Sequence, residues 1–269
     1  VECDLVFDCT GFRRELIGKL YKSEWKSYQD CLPIKRAIPF FLPPENKPYT
    51  QAIAMKYGWV WKIPLQHRCG AGYIFDSDYI TDEEAFAEAK EMFPDIEYTR
   101  TIKFDAGRFK QTWIKNCIAV GLSSGFTEPL EATSIWMATE QLKLLETFID
   151  VMFTNDEDTK QDYNEVIANN NDMVMEFLHY HYMTKRDDSP FWKEFRNKNN
   201  LPKFNVKLQQ IQKGNLRWYH TTGEKITSTF NLMSWLHVGE GLGLIKDISI
   251  KGYENLNPTV EEYGQNLPR

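Results

Sequence analysis

The chain has 269 residues, enough for one large domain or two smaller ones, and its 42% hydrophobic and 26% charged content is that of a globular protein. Thirty-eight acids against 32 bases leave a net charge of −6, which excludes a general electrostatic pull toward nucleic acid. No apolar run reaches the roughly 18 residues of a membrane span. The opening VECDLVFDCTGF lacks the basic start and small-residue cleavage site of a signal peptide. The five cysteines (Cys3, Cys9, Cys31, Cys69 and Cys117) show no CxxC spacing and read as reduced thiols of a cytoplasmic protein.

The chain opens almost directly on a strand-like run, and domains seldom begin so abruptly, so residue 1 is not the expected biological start. Asp4 to Asp8 is predicted as a short apolar strand ending at the Thr10-Gly11 turn. Pro33, Pro39, Pro43, Pro44 and Pro48 mark residues 12–48 as loops and edge strands. From Tyr49 to Phe75 the alternation predicts antiparallel strands. In GWVWKIP, Trp59, Trp61 and Ile63 share one face, and Val60 and Lys62 the other. Two such rings on one face either fill a core or lie against a planar ligand, and aromatic burial by itself favours the core.

Thr81 to Phe93 is a predicted helix, with Thr81 and Glu84 forming a capping box and Pro94 ending it. IKFDAGRFKQTWIK reads as a strand pair. Cys117 to Gly121 reads as a buried strand that breaks into the loop LSSGFTEPLEA. The next helix is amphipathic, with Ile135, Ala138, Leu142, Leu145, Ile149 and Met152 on the expected buried face. After about residue 153 the acidic TNDEDTKQD leads into a mostly helical portion, clearest in QDYNEVIANNNDMVMEFLHYHYM. The pattern is an α/β portion over 1–153 and a helical portion over 154–269.

A buried strand that runs through a Gly/Ser loop into a helix places N–H groups and a helix N-terminus at the strand's carboxyl end, which favours anions and cofactors. That loop carries Glu128 and Glu131 on either side of Pro129-Leu130. A glutamate in so apolar a loop is expected to have a raised pKa and to be able to act as a base, although acids in a first helical turn are also common stabilisers. His179 and His181, two apart, fall on different faces of a helix, which argues against a shared metal, and no metal site is predicted. His67 and Arg68 read as a solvated turn rather than an anion contact.

Five stretches, taken in order, say more than spacing does. DLVFDCTGFRRELI, GWVWKIPLQHRCGAGYIF, GLSSGFTEPLEATSI, LHYHYMTKRDDSPFW and SWLHVGEGLG run through most of the chain. They resemble the D-C-S/T-G-F-R segment, the GWxWxIP signature, the GxxxGFxEPLESTGI loop, the HY…R.D.PFW helix pair and the C-terminal W…V…G.G run of the flavin-dependent tryptophan halogenases. The resemblance implies a flavin-monooxygenase-like FAD domain with mixed sheets, partial here, over 1–153, followed by a mostly helical substrate-binding domain over 154–269.

It also implies an oxidoreductase. Reduced FAD, delivered by a separate NAD(P)H-dependent flavin reductase, reacts with oxygen to a hydroperoxide that a halide attacks. The hypohalous acid formed then reaches an electron-rich aromatic substrate of the indole type. Position by position, Glu131 matches the catalytic glutamate, Thr133 and Ser134 the backbone donors to halide, and Leu122 and Ile135 the flavin contacts. Trp59 and Trp61 match the wall between the flavin and the substrate, which a bulky, water-poor pair of indoles suits.

No nucleic acid or membrane partner is implied, and an assembly of identical chains is compatible with the pattern. Three departures stand out. Ala132 and Ser134 replace the family's serine and glycine, which puts the halide preference in question and admits a larger halide. Tyr219 and Glu224 do not align as an amino-acid clamp, which argues against free tryptophan as substrate. The family's GxGxxG fingerprint and its lysine that directs hypohalous acid are expected in a segment outside these residues. The competing readings are a flavin monooxygenase that hydroxylates an aromatic and a non-catalytic flavin-binding fragment; a halide-dependent product separates the first from the proposed chemistry.

Overall fold

Strands occupy the first half of the chain and helices the second. In a computed structural model, which describes residues 2–154, 156–197, 201–213 and 230–245, the strands are β1 (Val6–Asp8), β2 (Trp25–Ser27), β3 (Arg36–Leu42), β4 (Gln51–Ala54), β5 (Gly58–Pro64), β6 (Cys69–Phe75), β7 (Ile102–Lys103), β8 (Gly107–Phe109), β9 (Trp113–Ile114), β10 (Cys117–Ala119) and β11 (Gly125–Phe126). The helices are α1 (Asp82–Met92), α2 (Thr133–Thr147), α3 (Glu157–His181), α4 (Pro190–Asn197), α5 (Pro202–Gln212) and α6 (Leu232–Gly241). The stretch around Tyr219 and Glu224 lies outside the described residues.

The largest sheet has the order β4-β5-β6-β3-β7 and is antiparallel throughout. The alternation in β5 sorts its side chains as the pattern predicts. Trp59 is buried and Trp61 half-buried against one core cluster, while Val60 enters the opposite cluster with Ile38, Phe40 and Tyr73. Trp61 pairs across the strands with Gly72, where a Cβ would lie 2.1 Å from the indole. That glycine leaves room for the ring to cross β6. Residues 12–48 are more ordered than their prolines suggested. β3 pairs along its whole length with β6, and Pro39 lies beyond the two residues that β7 covers, where that side of β3 has no second strand.

Residues 102–115 form no strand pair. β7 joins β3, β8 lies between β2 and β11, and β9 joins β10, so three short strands enter three sheets. Pieces of two or three residues carry too little alternation to specify a partner. β1 runs parallel to β10, with Asp8 opposite Ala119. The buried Asp8 carboxylate accepts N–H bonds from Leu16 and Ile17 at 2.9 and 2.8 Å, which ties the end of β1 to the segment that follows.

α1 carries the predicted capping box: Thr81 Oγ1 accepts the Glu84 N–H at 3.2 Å, and Glu84 Oε2 accepts the Thr81 N–H at 3.0 Å. α2 divides its predicted face. Leu145 and, beyond the helix, Met152 are buried as expected and Ala138 is half-buried, but Ile135, Leu142 and Ile149 are 82%, 56% and 58% exposed, and the polar Thr133 and Gln141 are buried. Hydrogen bonds set this orientation. The Gln141 amide donates to the Ala119 carbonyl at 3.0 Å, and its oxygen accepts the Gly121 N–H at 3.0 Å. Regular helix also ends at Thr147, so Ile149 lies beyond the reach of a helical period.

α3 is the longest helix, with 25 residues, and Asp156 caps it by accepting the Thr159 N–H at 2.8 Å. Asn164 accepts N–H bonds from Thr112 and Trp113. Farther along, Asp172 takes a bidentate Arg108 at 2.9 and 3.0 Å, Lys26 at 3.0 Å and the Tyr28 hydroxyl at 2.5 Å. α3 is thereby pinned across β2 and β8. The main core crosses the change of composition near residue 153: Tyr28, Trp59 and Ile74 pack in one cluster with Phe177, Trp192, Phe204 and Trp235.

Candidate active site

β10 ends at Ala119, and the chain turns sharply at Gly121, whose φ of 65° is a left-handed conformation suited to glycine. The turn Gly121–Ser123, which carries the half-buried Leu122, packs against α2. After β11 the chain passes Thr127, Glu128 and Pro129 and tightens into a helical turn, Leu130–Ala132. The buried Leu130 anchors this turn from below, and the Thr127 and Thr133 hydroxyls lie 3.1 Å apart across its base.

Glu131 (φ 61°, ψ 6°) and Ala132 (φ 52°, ψ 33°) are both left-handed. Each costs about 1–3 kcal/mol and persists only where the surroundings fix it. Their conformation delivers α2 with its first turn open. Ala132 holds the N-cap position without a side-chain bond, and the Thr133 hydroxyl is engaged by Thr127. α1, α3 and α6, in contrast, all begin with a side-chain cap. The first-turn N–H groups of α2, at Thr133 and Ser134, have no intrahelical acceptors, and the helix dipole adds to their pull on an anion.

The two glutamates diverge. Glu128 is fully buried, and burial pushes its carboxyl up to about 8, against the opposing hydrogen bonds of Tyr182 and Trp59. The Tyr182 hydroxyl lies 2.6 and 2.7 Å from the two carboxylate oxygens, and Trp59 Nε1–H donates to that same hydroxyl at 3.2 Å. Glu131 is exposed, with His181 Nε2 at 2.9 Å from its Oε1. The hydrogen bond from His181 outweighs burial and holds the Glu131 carboxyl below its ordinary value. The expected raised pKa therefore belongs to Glu128 and not to Glu131.

Glu131, Thr133, Ser134 and Ile135 come together at the start of α2, with Ile135 projecting into the open. Trp59 reaches the loop from the other side, through Tyr182 to Glu128. Trp61 packs beside it in the same core. The histidines part as their spacing requires: His179 Nδ1 meets the Cys31 carbonyl at 2.9 Å, and His181 reaches Glu131. Burial lowers the pKa of His179. His67 and Arg68 are exposed in the β5–β6 turn, with Arg68 4.6 Å from the Phe41 ring centroid. Among the described residues, no group of three or more His, Cys, Asp or Glu side chains could hold a metal, and no helix is long and apolar enough to cross a membrane.

Sequence reasoning missed Gln141, His181 and Tyr182. The last two lie in the LHYHYM stretch, in and just after the final turn of α3, about 50 residues from the glutamates they hold. Their only local signal was the pair of ring-bearing polar groups that follows the mostly apolar run of residues 173–178 at the end of α3.

A mixed α/β scaffold thus brings a strand-end loop with one buried and one open carboxylate to an uncapped helix, an arrangement of the kind found in enzymes. Sequence comparison makes the class specific. The profile of the tryptophan halogenase family matches residues 1–256, and the chain belongs to that family. It is 38% identical over 201 residues to tryptophan 6-halogenase SttH of Streptomyces toxytricini, covering 71% of this chain and 38% of that protein. It is 31% identical over 265 residues to tryptophan 7-halogenase RebH of Lentzea aerocolonigenes, covering 91% of this chain and 50% of that one. The fold matches BrvH, a flavin-dependent halogenase from Brevundimonas sp. BAL3, with a TM-score of 0.82 at 28% identity, over 100% of this chain and 57% of BrvH. The chain thus spans half or less of the length of these two sequence relatives.

Proposed function

We propose that this chain supplies the halide-binding and substrate-facing part of a FAD-dependent halogenase acting on an electron-rich, indole-type aromatic. The observation that carries the reading is the uncapped start of α2, where the first-turn backbone of Thr133 and Ser134 follows directly on Glu131 and its exposed carboxylate. Halide binds at the N–H groups of that turn, and Ser134, being helical, offers its N–H as a glycine would. Leu122 and the outward Ile135 give an apolar ledge that suits the flat ring of FAD. When bound, FAD reduced by a separate NAD(P)H-dependent reductase supplies the oxidation of halide by oxygen to hypohalous acid.

The chain's own groups do the rest. Trp59 and Trp61, held from behind by Tyr182 and Gly72, form a rigid apolar partition that keeps the aromatic apart from the oxidant. Glu131 receives the proton that leaves the ring carbon as the carbon–halogen bond forms and the halogen–oxygen bond breaks. The oxygen departs as hydroxide and takes a proton to become water. Residues 1–153 serve the flavin side and 154–269 the substrate side.

The test is an assay of the whole protein with flavin reductase, NADH, FAD, oxygen and an indole, in chloride, in bromide and without halide, read by mass spectrometry. A halogenated product that requires halide supports the reading. A hydroxylated product formed equally without halide overturns it in favour of a monooxygenase.

A further inference from the structure

We propose that His181 is a positioning residue for Glu131: it holds one carboxylate oxygen by a charged hydrogen bond and turns the other toward the substrate. The inference rests on the reading of Glu131 as the proton acceptor. Its basis is a proton count at the imidazole. His181 Nδ1 lies 2.9 Å from the Phe177 carbonyl oxygen, which can only accept, so Nδ1 carries a hydrogen. Nε2 lies 2.9 Å from Glu131 Oε1, and a bare nitrogen against a carboxylate would be repelled, so a proton lies between them. His181 is also the last residue of α3, where the carbonyl end of a helix favours a positive imidazole. The Phe177 ring meets the imidazole at 86° and 5.0 Å, which fixes its plane. Among the described residues, Glu131 is the one titratable group in contact with His181.

Two features make this a holding device rather than an incidental surface pair. Glu131 and Ala132 are strained into left-handed conformations that need an external restraint. The residue just past α3, Tyr182, grips Glu128 in the same loop. Adjacent groups at the end of α3 therefore clamp both carboxylates. With Oε1 engaged by His181, Oε2 has no partner among the described residues and is the oxygen left to receive the ring proton. In that step the C–H bond breaks, its electron pair returns to the ring, the proton moves to Oε2, and solvent water later removes it.

The experiment pairs histidine nitrogen NMR with pH-rate profiles, using wild type, E131Q, H181F and H181Q in the whole protein. In wild type the His181 Nε2–H proton should resonate well downfield, as a hydrogen bond to a carboxylate requires, and E131Q should move it upfield. An unchanged Nε2–H resonance overturns the inference, and this comparison stands even if H181F fails to fold. In turnover, H181F should move the acid limb of kcat/KM up by about one pH unit, roughly tenfold in rate at low pH, and H181Q should recover part of that shift. A limb that stays put while E131Q abolishes turnover overturns the role of His181 and leaves the reading of Glu131 intact. Full turnover in E131Q overturns the reading of Glu131 itself.

Discussion

Glu128 and Glu131 share one loop, yet one is sealed in the core and pushed toward neutrality while the other stands open and is held ionised. Both are acids beside apolar neighbours in sequence, so composition does not divide them. Depth and partner do. Glu128 meets a hydroxyl and an indole N–H relay in a dry interior, where its charge is costly, and Glu131 meets an imidazole at the surface, where its charge is matched. A loop can thus set a structural acid beside a chemical one by the side each faces.

The sharpest way to break this comparison is to neutralise the open acid. Glu131→Gln is expected to lower turnover by about 10²–10⁴-fold while changing thermal stability little, because that side chain is exposed. Paired turnover and melting measurements check it; a large loss of stability with turnover intact would place Glu131 with Glu128. On the buried side, Trp59→Ala should cost about 3–5 kcal/mol, because it empties a core position and removes the donor to Tyr182. Trp61→Ala should cost less, because Trp61 is only half-buried, and denaturant titration of the two variants ranks them.

Glu128→Gln tests the buried acid by pH. Below the ordinary value of 4.5 the carboxyl is neutral in both the folded and the unfolded chain, and its burial carries no ionisation cost. Between there and about 8 the unfolded chain ionises and the folded one resists, so wild type loses stability as pH rises. The difference from Glu128→Gln should open across that window, to on the order of a few kcal/mol at its upper end. Parallel curves for the two proteins would show that Glu128 is ionised within the fold. The smallest effect is expected at Ala132→Gly. Relief of the left-handed strain exceeds glycine's greater freedom when unfolded, so the fold should gain up to about 1 kcal/mol, seen as a rise in melting temperature.

What the sequence made legible was local or carried by motif. The capping box of α1, the alternation in GWVWKIP and the long α3 follow from neighbours a few residues apart. The position of Glu131 at the mouth of a helix was readable because strand, glycine turn and helix follow one another directly. The face of α2 was readable only in part. Leu145 and Met152 turn inward as their period predicts, but Ile135 and Leu142 point outward, because Gln141 finds its acceptor and donor at the end of β10, and no count of hydrophobic residues registers that bond. The partners of the two glutamates were hidden for a related reason. His181 and Tyr182 come from another element, and the long-range anchoring of α3 through Asn164, Asp172 and the main core brings them to the loop.

Because the two clamping groups are adjacent, one the last residue of α3 and the other just past it, they act as a gauge for the segment between the carboxylates. Pro129 and Leu130 can in principle change identity, since the gauge reads distance. Inserting or deleting a residue there would leave one acid out of reach of its holder. Natural variants of this chain should therefore tolerate substitution in that interval far better than any change in its length. A single inserted glycine, which adds no bulk and removes no functional group, should be among the most damaging edits to the loop.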